Sequence, residues 1–378
     1  MKKILLYLLA LAPMAAFAQL TSGYYRVQNI KTERYISIVD TRASISGTGK
    51  IDLRAIHMLK PFEDSVAYNP ATICYVKLEG NNQCDLIGQG LVMSSQIGGR
   101  LLNYLEISNN VYQFFGKVST SGASATKYLG DESYEEWGAE YIVYYPNDNG
   151  ANPNWHVWPV DQSEHYFGVK PEITATADNS YWSTMYAGFP FRASASTTKI
   201  YRVSKVDNDF GVAVITEITS DVPAQTPVLL RCTGATPSDN KLTLLDPNTS
   251  ATIGDNYLNG NYYCNDVAES TGHRNVKAYN ASTMRMLGVD ADGKPAFVKS
   301  NIQYLPANKC YLAVNARTAP DVLKIMTEAE YETYVTGIEQ ITTSTTDGTK
   351  VIYDLQGRRV QAPSKGLYIV NGKKMIIR

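Results

Sequence analysis

From Gly23 onward the chain alternates apolar and polar positions in short runs punctuated by Gly, Asn, Ser and Asp. Tyr25-Arg26-Val27-Gln28-Asn29, a turn at Lys31-Thr32-Glu33, and Tyr35-Ile36-Ser37-Ile38-Val39 have the two-residue period of a β-hairpin. One stretch breaks the period. Leu53, Ile56 and Leu59 recur at helical spacing behind Asp52, a suitable N-cap, so a helix is expected there, ended by Pro61 and resumed for a turn or two up to Tyr68. Strands are predicted again over 72–78, 84–87, 101–107, 111–118 and 141–145. Trp155-His156-Val157-Trp158-Pro159-Val160 and Tyr166-Phe167-Gly168-Val169 then close a first block. The polar, Thr- and Ala-rich stretch 171–179 reads as a linker.

A second run of strands follows at 181–187, 199–203, 212–218, 228–230, 241–245, 284–289, 296–299 and 309–314. Pro223-Ala224-Gln225-Thr226-Pro227-Val228-Leu229-Leu230 is echoed 83 residues later by Pro306-Ala307-Asn308-Lys309-Cys310-Tyr311-Leu312-Ala313. In both, a Pro-Ala-polar turn feeds a buried-type strand, which predicts one β-sandwich whose halves share a turn device. Thr327-Glu328-Ala329-Glu330 is a capping box opening a short helix, and 342–348 is a polar linker. The last residues, with Asn371-Gly372 between two apolar runs, predict a small terminal hairpin.

The fold class expected is therefore all-β. Its parts are a leader at 1–18, a first domain at 19–172, a β-sandwich at 180–325, a short helix and linker at 326–348 and a small β tail at 349–378. The leader is Met1-Lys2-Lys3, an apolar run from Ile4 to Phe17, and Ala16-Phe17-Ala18 before Gln19. A basic head, a short apolar core and a small-x-small end describe a signal peptide, too short for a comfortable membrane span. The expected location is thus extracellular or on the outer-membrane surface, with no transmembrane span in the mature chain.

Three resemblances sharpen this picture. Tyr24-Tyr25-Arg26-Val27-Gln28-Asn29 with Arg34-Tyr35-Ile36, and the Trp155–Val160 segment, resemble ricin-B-like β-trefoils, which implies a trefoil-like first domain carrying a helical insertion. The family's glutamine two before its tryptophan is replaced by Pro153, so no sugar-binding residue is transferred. Trp182-Ser183-Thr184-Met185-Tyr186, Val222–Val228 and Leu305–Leu312 resemble a module common in secreted and surface proteins of the Bacteroidetes. Tyr353-Asp354-Leu355-Gln356-Gly357-Arg358, Gly366-Leu367-Tyr368-Ile369-Val370 and the basic end at Lys373, Lys374 and Arg378 resemble the C-terminal sorting domain of type IX secretion substrates, in a compact variant. That resemblance implies the type IX secretion machinery as a partner.

Composition fits a secreted β protein. There are 27 Tyr against 9 Phe, and Tyr suits a sheet face that is half wet. Lys and Arg number 35 against 36 Asp and Glu. Without the leader's two lysines the balance is −3, which with no basic stripe argues against a nucleic-acid partner. Five cysteines leave at least one unpaired. Cys74 and Cys84 flank the turn at Glu79–Asn82 and would face each other across a hairpin, either as a disulfide or as free thiols.

Catalytic chemistry is not spelled out. His57, His156, His165 and His273 lack the spacing of a zinc helix. Asp290-Ala291-Asp292-Gly293 begins like a calcium loop but lacks the closing Glu and flanking helices, so it reads as a hairpin turn. The acidic pairs Asp131-Glu132 and Glu135-Glu136 fall in what reads as one polar loop. No cofactor and no metal are implied.

Binding has better candidates, because sugars stack on exposed aromatic rings. Trp137 lies in a polar setting, and Trp158 is out of phase with Trp155, which is assigned to the core. Asp131 and Asp161 would hydrogen-bond hydroxyls. The expected function is a non-catalytic exported protein binding glycans or glycoproteins. A secreted hydrolase with a dispersed site, or a structural component of a surface assembly, are the alternatives.

Overall fold

The computed structural model describes residues 19–38, 56–59, 64–92, 101–120, 123–136, 139–145, 153–262, 277–340, 352–361, 363–370 and 373–377. The leader lies outside them. The protein is dominated by strands, and among the described residues no helix is long and apolar enough to cross a membrane. Two compact units emerge, one of residues 1–66 with 71–160, the other of 67–70 with 161–378.

The first unit contains β1 (Gly23–Asn29), β2 (Tyr35–Ile38), β3 (Ile56–Leu59), helix α1 (Asp64–Ala67, whose last residue falls in the second unit), β4 (Cys74–Gly80), β5 (Gln83–Gly88) and β6 (Leu91–Val92). It continues with β7 (Leu102–Ser108), β8 (Val111–Thr120), β9 (Ala123–Glu136), β10 (Ala139–Tyr145) and β11 (Asn154–Pro159). Six strands close a ring of antiparallel pairs in the order β1, β4, β5, β7, β8, β11 and back to β1. Closure removes the open edges of a sheet. Outside the ring, β2 pairs with β3, β6 with β5, and β9 with β10. Alternate residues are buried, among them Tyr25 and Val27 on β1, Cys84 and Leu86 on β5, and Trp155 and Val157 on β11.

Several expectations are corrected here. Residues 56–59, placed in a helix by the three-residue spacing, form a strand. Tyr35, Ile36, Ser37 and Ile38 of β2 pair with Leu59, Met58, His57 and Ile56, and this ladder overrides the local pattern. The helical insertion is reduced in the described residues to the single turn of α1 and a 3-10 turn at Pro70–Thr72. The acidic pairs lie on the fourteen-residue β9, not in a loop. The β4–β5 hairpin exists, but Cys84 pairs with Leu78 and Cys74 sits at the far end of its strand. Asn81 and Asn82 make the turn too tight to bring the two cysteines opposite each other. Both are free and buried, and burial pushes each thiol up to about 12.

The second unit holds β12 (Phe167–Gly168), β13 (Ile173–Thr174), β14 (Tyr181–Met185), β15 (Phe191–Ala193), β16 (Lys199–Asp207), β17 (Val212–Glu217), β18 (Val228–Cys232), β19 (Lys241–Leu244) and β20 (Leu258–Asn261). After these come β21 (Met284–Val289), β22 (Pro295–Val298), β23 (Lys309–Ala313), β24 (Val322–Thr327), helix α2 (Glu328–Gln340), β25 (Ile352–Tyr353), β26 (Gly366–Val370) and β27 (Lys373–Ile377). Ten strands form one sheet in the order β13-β14-β18-β16-β17-β24-β22-β21-β23-β20. The sheet curls until β14 meets β23: the Tyr186 amide donates to the Asn308 carbonyl (3.0 Å) and the Cys310 amide to Thr184 Oγ1 (3.1 Å). Trp182, Val203, Ile215, Leu229, Phe297, Leu312 and Leu323 fill the core it wraps.

The sequence echo is a structural repeat. Strands β18-β16-β17 and β23-β21-β22 have the same internal order, each a hairpin whose first strand also pairs with a third. In both copies the third residue of the Pro-Ala-polar turn is left-handed, Gln225 at φ 62° and Asn308 at φ 57°, as a turn with positive φ at its third position requires. Both turns grip the same segment. The Gln225 amide donates to the Ala187 carbonyl, and Asn308 Nδ2 donates to the Tyr186 carbonyl. The expected linker at 171–179 is instead integrated: β13 pairs with β14, and Ala175 is fully buried in the core. The unit border accordingly falls after Val160 rather than at 172.

The capping box forms as expected, with Thr327 donating through its amide and hydroxyl to Glu330 Oε2 (2.7 and 2.8 Å). Helix α2 packs through Tyr331 against Val212 and Val214. The Tyr331 hydroxyl donates to Asp207 Oδ2 (2.7 Å) and accepts from the Lys205 ammonium (3.0 Å). In the tail, Asp354 Oδ1 accepts the amides of Gln356 and Arg358, and Gly357 takes the left-handed conformation that closes this turn. Val370 pairs with Lys373 across residues 371–372, which lie outside the described set. The Lys374 ammonium sits 3.7 Å from the Phe210 ring centre, docking the tail on its own unit.

Candidate functional site

The outer face of the β1–β11 pair is where an aromatic platform forms. Register places Arg26 opposite Trp158 and Gln28 opposite His156, so all four side chains share one side of the pleat. Tyr25, Val27, Trp155 and Val157 take the other, buried side. Arg26 is itself fully buried, its guanidinium donating to Thr72 Oγ1 and the Val66 carbonyl. That leaves Trp158, His156 and Gln28 as the partly exposed group.

Trp158 and His156 are stacked, with ring centres 4.6 Å apart and planes 27° from parallel. The Trp158 indole N–H donates to Gln28 Oε1 (2.9 Å), and Gln28 Nε2 donates to the Glu33 carbonyl (3.0 Å). This chain of bonds fixes the indole plane before any ligand arrives, which lowers the ordering cost of binding. Burial pulls the His156 pKa below its ordinary value, opposed by the Asn110 carbonyl. The imidazole is therefore neutral at pH 7, and the pair offers an uncharged π surface.

The four residues singled out from the sequence are not brought together. Trp158 is on this platform. Trp137 lies outside the described residues, between the ends of β9 and β10. Asp131 is fully buried and belongs to the fold. Arg34 grips its carboxylate in a two-pronged ion pair, with Nε to Oδ2 at 2.9 Å, and the Thr32 hydroxyl adds a further bond. A carboxylate so committed has nothing to offer a sugar hydroxyl. Asp161 is exposed and belongs to the second unit, where its Oδ1 accepts the Ser163 amide (2.7 Å) and hydroxyl (2.5 Å) in an Asx turn. Trp155, assigned to the core, is wholly buried, and its indole N–H donates to the Leu129 carbonyl (2.9 Å).

Sequence reading missed Gln28 and the role of His156. Alternation alone put His156 in phase with Trp158. The 130-residue separation between Gln28 and Trp158 hid the third member.

One other cluster has the residue types of chemistry. Lys309 Nζ lies 3.1 Å from Ser183 Oγ, 3.2 Å from Glu172 Oε1 and 3.3 Å from the Thr184 carbonyl. A Ser–Lys pair is one known form of activated nucleophile. Here Ser183 is fully buried, and the lysine's three donors are all engaged. Glu172 Oε1 also accepts the Thr184 hydroxyl (2.7 Å) and amide (2.5 Å). The cluster ties β14 to β23 and reads as a structural knot.

The chain matches no model of a known protein family. A comparison with curated proteins finds no similar sequence.

Proposed function

We propose that this protein is an exported, non-catalytic component of the cell surface or secreted pool that binds glycans or glycoproteins through its first unit. The observation that carries the reading is the pre-set Trp158–His156 stack, half-open on the outer face of a closed ring, with its indole anchored by Gln28. A pyranose presents a C–H face that packs on such a ring, and an anchored, neutral platform suits an uncharged ligand.

The first unit is read as a β-trefoil. Supporting this are the six-stranded ring β1-β4-β5-β7-β8-β11 and the three excursions that leave it, after β1, β5 and β8. For the second unit a β-sandwich remains the finer reading, since the flanks of its curled sheet face each other across one core and repeat one motif. The tail is read as a type IX sorting domain of Bacteroidetes type, because the Asp354 turn and the β26–β27 hairpin occupy the stretches that carry the resemblance. Export by the leader and recognition of the tail by the secretion machinery then place the mature chain outside the cell.

Two experiments test these claims separately. Mature protein on a glycan and mucin array is expected to show specific binding that Trp158→Ala weakens by roughly 30-fold, about 2 kcal/mol for a truncated Trp anchor. Deleting residues 349–378 is expected to abolish surface delivery, and unchanged delivery would remove the sorting claim.

A further inference from the structure

A cavity of about 560 Å³ opens in the second unit, lined by the β21–β22 hairpin, β24 and α2. That volume falls within the roughly 300–1,000 Å³ typical of small-molecule sites. Its apolar lining comes from Pro295, Ile325, Met326 and Ala329, with Tyr334 as an aromatic wall. Four charged side chains stand around it: Asp290, Lys294, Lys324 and Glu330.

The two signs of charge are held very differently. Asp290 Oδ1 accepts the amides of Asp292 and Lys294 and so fixes the hairpin turn. Glu330 Oε2 closes the capping box of α2. Each carboxylate thus has one oxygen committed to the fold, while the other oxygen of Asp290 is buried with no hydrogen-bond partner. The lysines are held more loosely. The Lys294 ammonium has no ion-pair or hydrogen-bond partner among the described residues, and it is exposed. Lys324 has Asp292 at 3.8 Å, a long pair between side chains 39% and 69% exposed, which water screens, and its ammonium lies 5.9 Å from the Tyr334 ring centre. Register brings the lysines to one place. Ala296 pairs with Lys324, and Lys294 immediately precedes β22, two residues before Ala296, so both lysines line the cavity.

We propose that this cavity binds an amphipathic organic anion. Its apolar body would lie on Ile325, Met326 and Ala329 against Tyr334. Its single carboxylate, sulfonate or phosphate group would sit between Lys294 and Lys324. Charge complementarity favours the anion at the lysine end, where the Lys294 ammonium has no ion-pair or hydrogen-bond partner among the described residues and Lys324 is only weakly paired. The apolar lining selects an amphiphile over a bare ion, which would gain nothing from it.

The probe is 8-anilinonaphthalene-1-sulfonate, titrated into the full mature chain and followed by fluorescence, with dodecanoate as competitor. N-phenyl-1-naphthylamine serves as a neutral counterpart of the dye. The expected result is one saturable site that dodecanoate empties. Lys294→Gln with Lys324→Gln should weaken the sulfonate about tenfold or more while leaving the neutral dye's affinity unchanged. Ala329→Trp, which fills the mouth from an exposed helix position, should weaken both dyes. A thermal melt of each variant shows that the fold is kept. Absence of a saturable site, or sulfonate affinity unchanged in the double lysine variant, would overturn the proposal.

Discussion

The two units are made of the same short strands, yet they stabilise themselves by different means. The first closes a ring, and its described half-site polar residues are largely consumed in doing so: Asp131 by Arg34 and Thr32, Arg26 by Thr72 and Val66. The second repeats a three-stranded motif and clasps both copies onto residues 186–187. In each, residue type is a poor guide to role. Asp131 looked like a ligand contact and is a buried strut, whereas Lys294 and Lys324, which no motif singled out, stand beside a cavity, Lys294 without an ion pair among the described residues and Lys324 only weakly paired. The contrast teaches that burial and partners, not chemical identity, decide which polar groups are left for function.

The largest break in this comparison comes from Asp131→Ala. It removes the carboxylate that the buried Arg34 guanidinium grips, and breaking such a buried pair costs about 3–5 kcal/mol. Hydrogen exchange should show protection lost in β2 and β9, with the second unit's β16–β18 amides unchanged. Equal loss in both units would contradict the division into separately stabilised parts.

A smaller effect separates the two clasps. At Gln225 a glycine removes the left-handed penalty of an L-residue, roughly 1–2 kcal/mol, against a loss of about 0.5–1 kcal/mol to chain entropy. Gln225→Gly should therefore be neutral to stabilising by up to about 1 kcal/mol. Asn308→Gly forfeits the Nδ2 bond to the Tyr186 carbonyl and should destabilise by about 1 kcal/mol. Urea midpoints moving the same way in both variants would mean the two turns are not the unequal copies described.

Acid gives a third handle, on the second unit. Partial burial tends to raise the Asp207 pKa, but the Tyr331 hydroxyl, the amides of Phe210 and Asp209 and the Lys205 ammonium together hold it below the ordinary value. Its contribution is complete above the unfolded value of about 3.9 and is lost as pH falls through the depressed folded value. Anchoring of α2, followed by Tyr331 NMR shifts, should weaken only in that acid window. Tyr331→Phe should narrow the window, because it removes the hydrogen bond that lowers Asp207.

The smallest effect belongs to the platform. His156 titrates below its ordinary value of about 6.5, so its ring protons should shift with a midpoint under that pH. Trp158→Ala, which opens the stacked face to water, should bring the midpoint back toward it. A midpoint at or above 6.5 in the intact protein would contradict the neutral stack.

How much of this was legible beforehand follows a physical rule. Strands β16, β17, β18, β21, β22 and β23 were readable because alternation, turn residues and burial all point the same way within ten residues. The Thr327 capping box was readable for the same reason, its two members being three residues apart. Residues 56–59 were misread because helical spacing is a local feature, while the pairing with β2 that decides the matter is not. Asp131 was misread because Arg34 lies 97 residues away, and nothing in the acidic run announces a buried partner. The short segment 171–179 looked like a linker because small Thr and Ala residues serve equally well in a tether and in a packed edge strand such as β13.

The central claim is that the first unit reads glycans with Trp158. The most direct test is the array experiment on residues 19–378, run with Trp158→Ala and with Gln28→Leu, which leaves the indole but cuts its anchor. The account predicts specific binding, lost in the first variant and reduced in the second, with both proteins folded. Binding that is indifferent to both substitutions, or a blank array from folded protein, would contradict it.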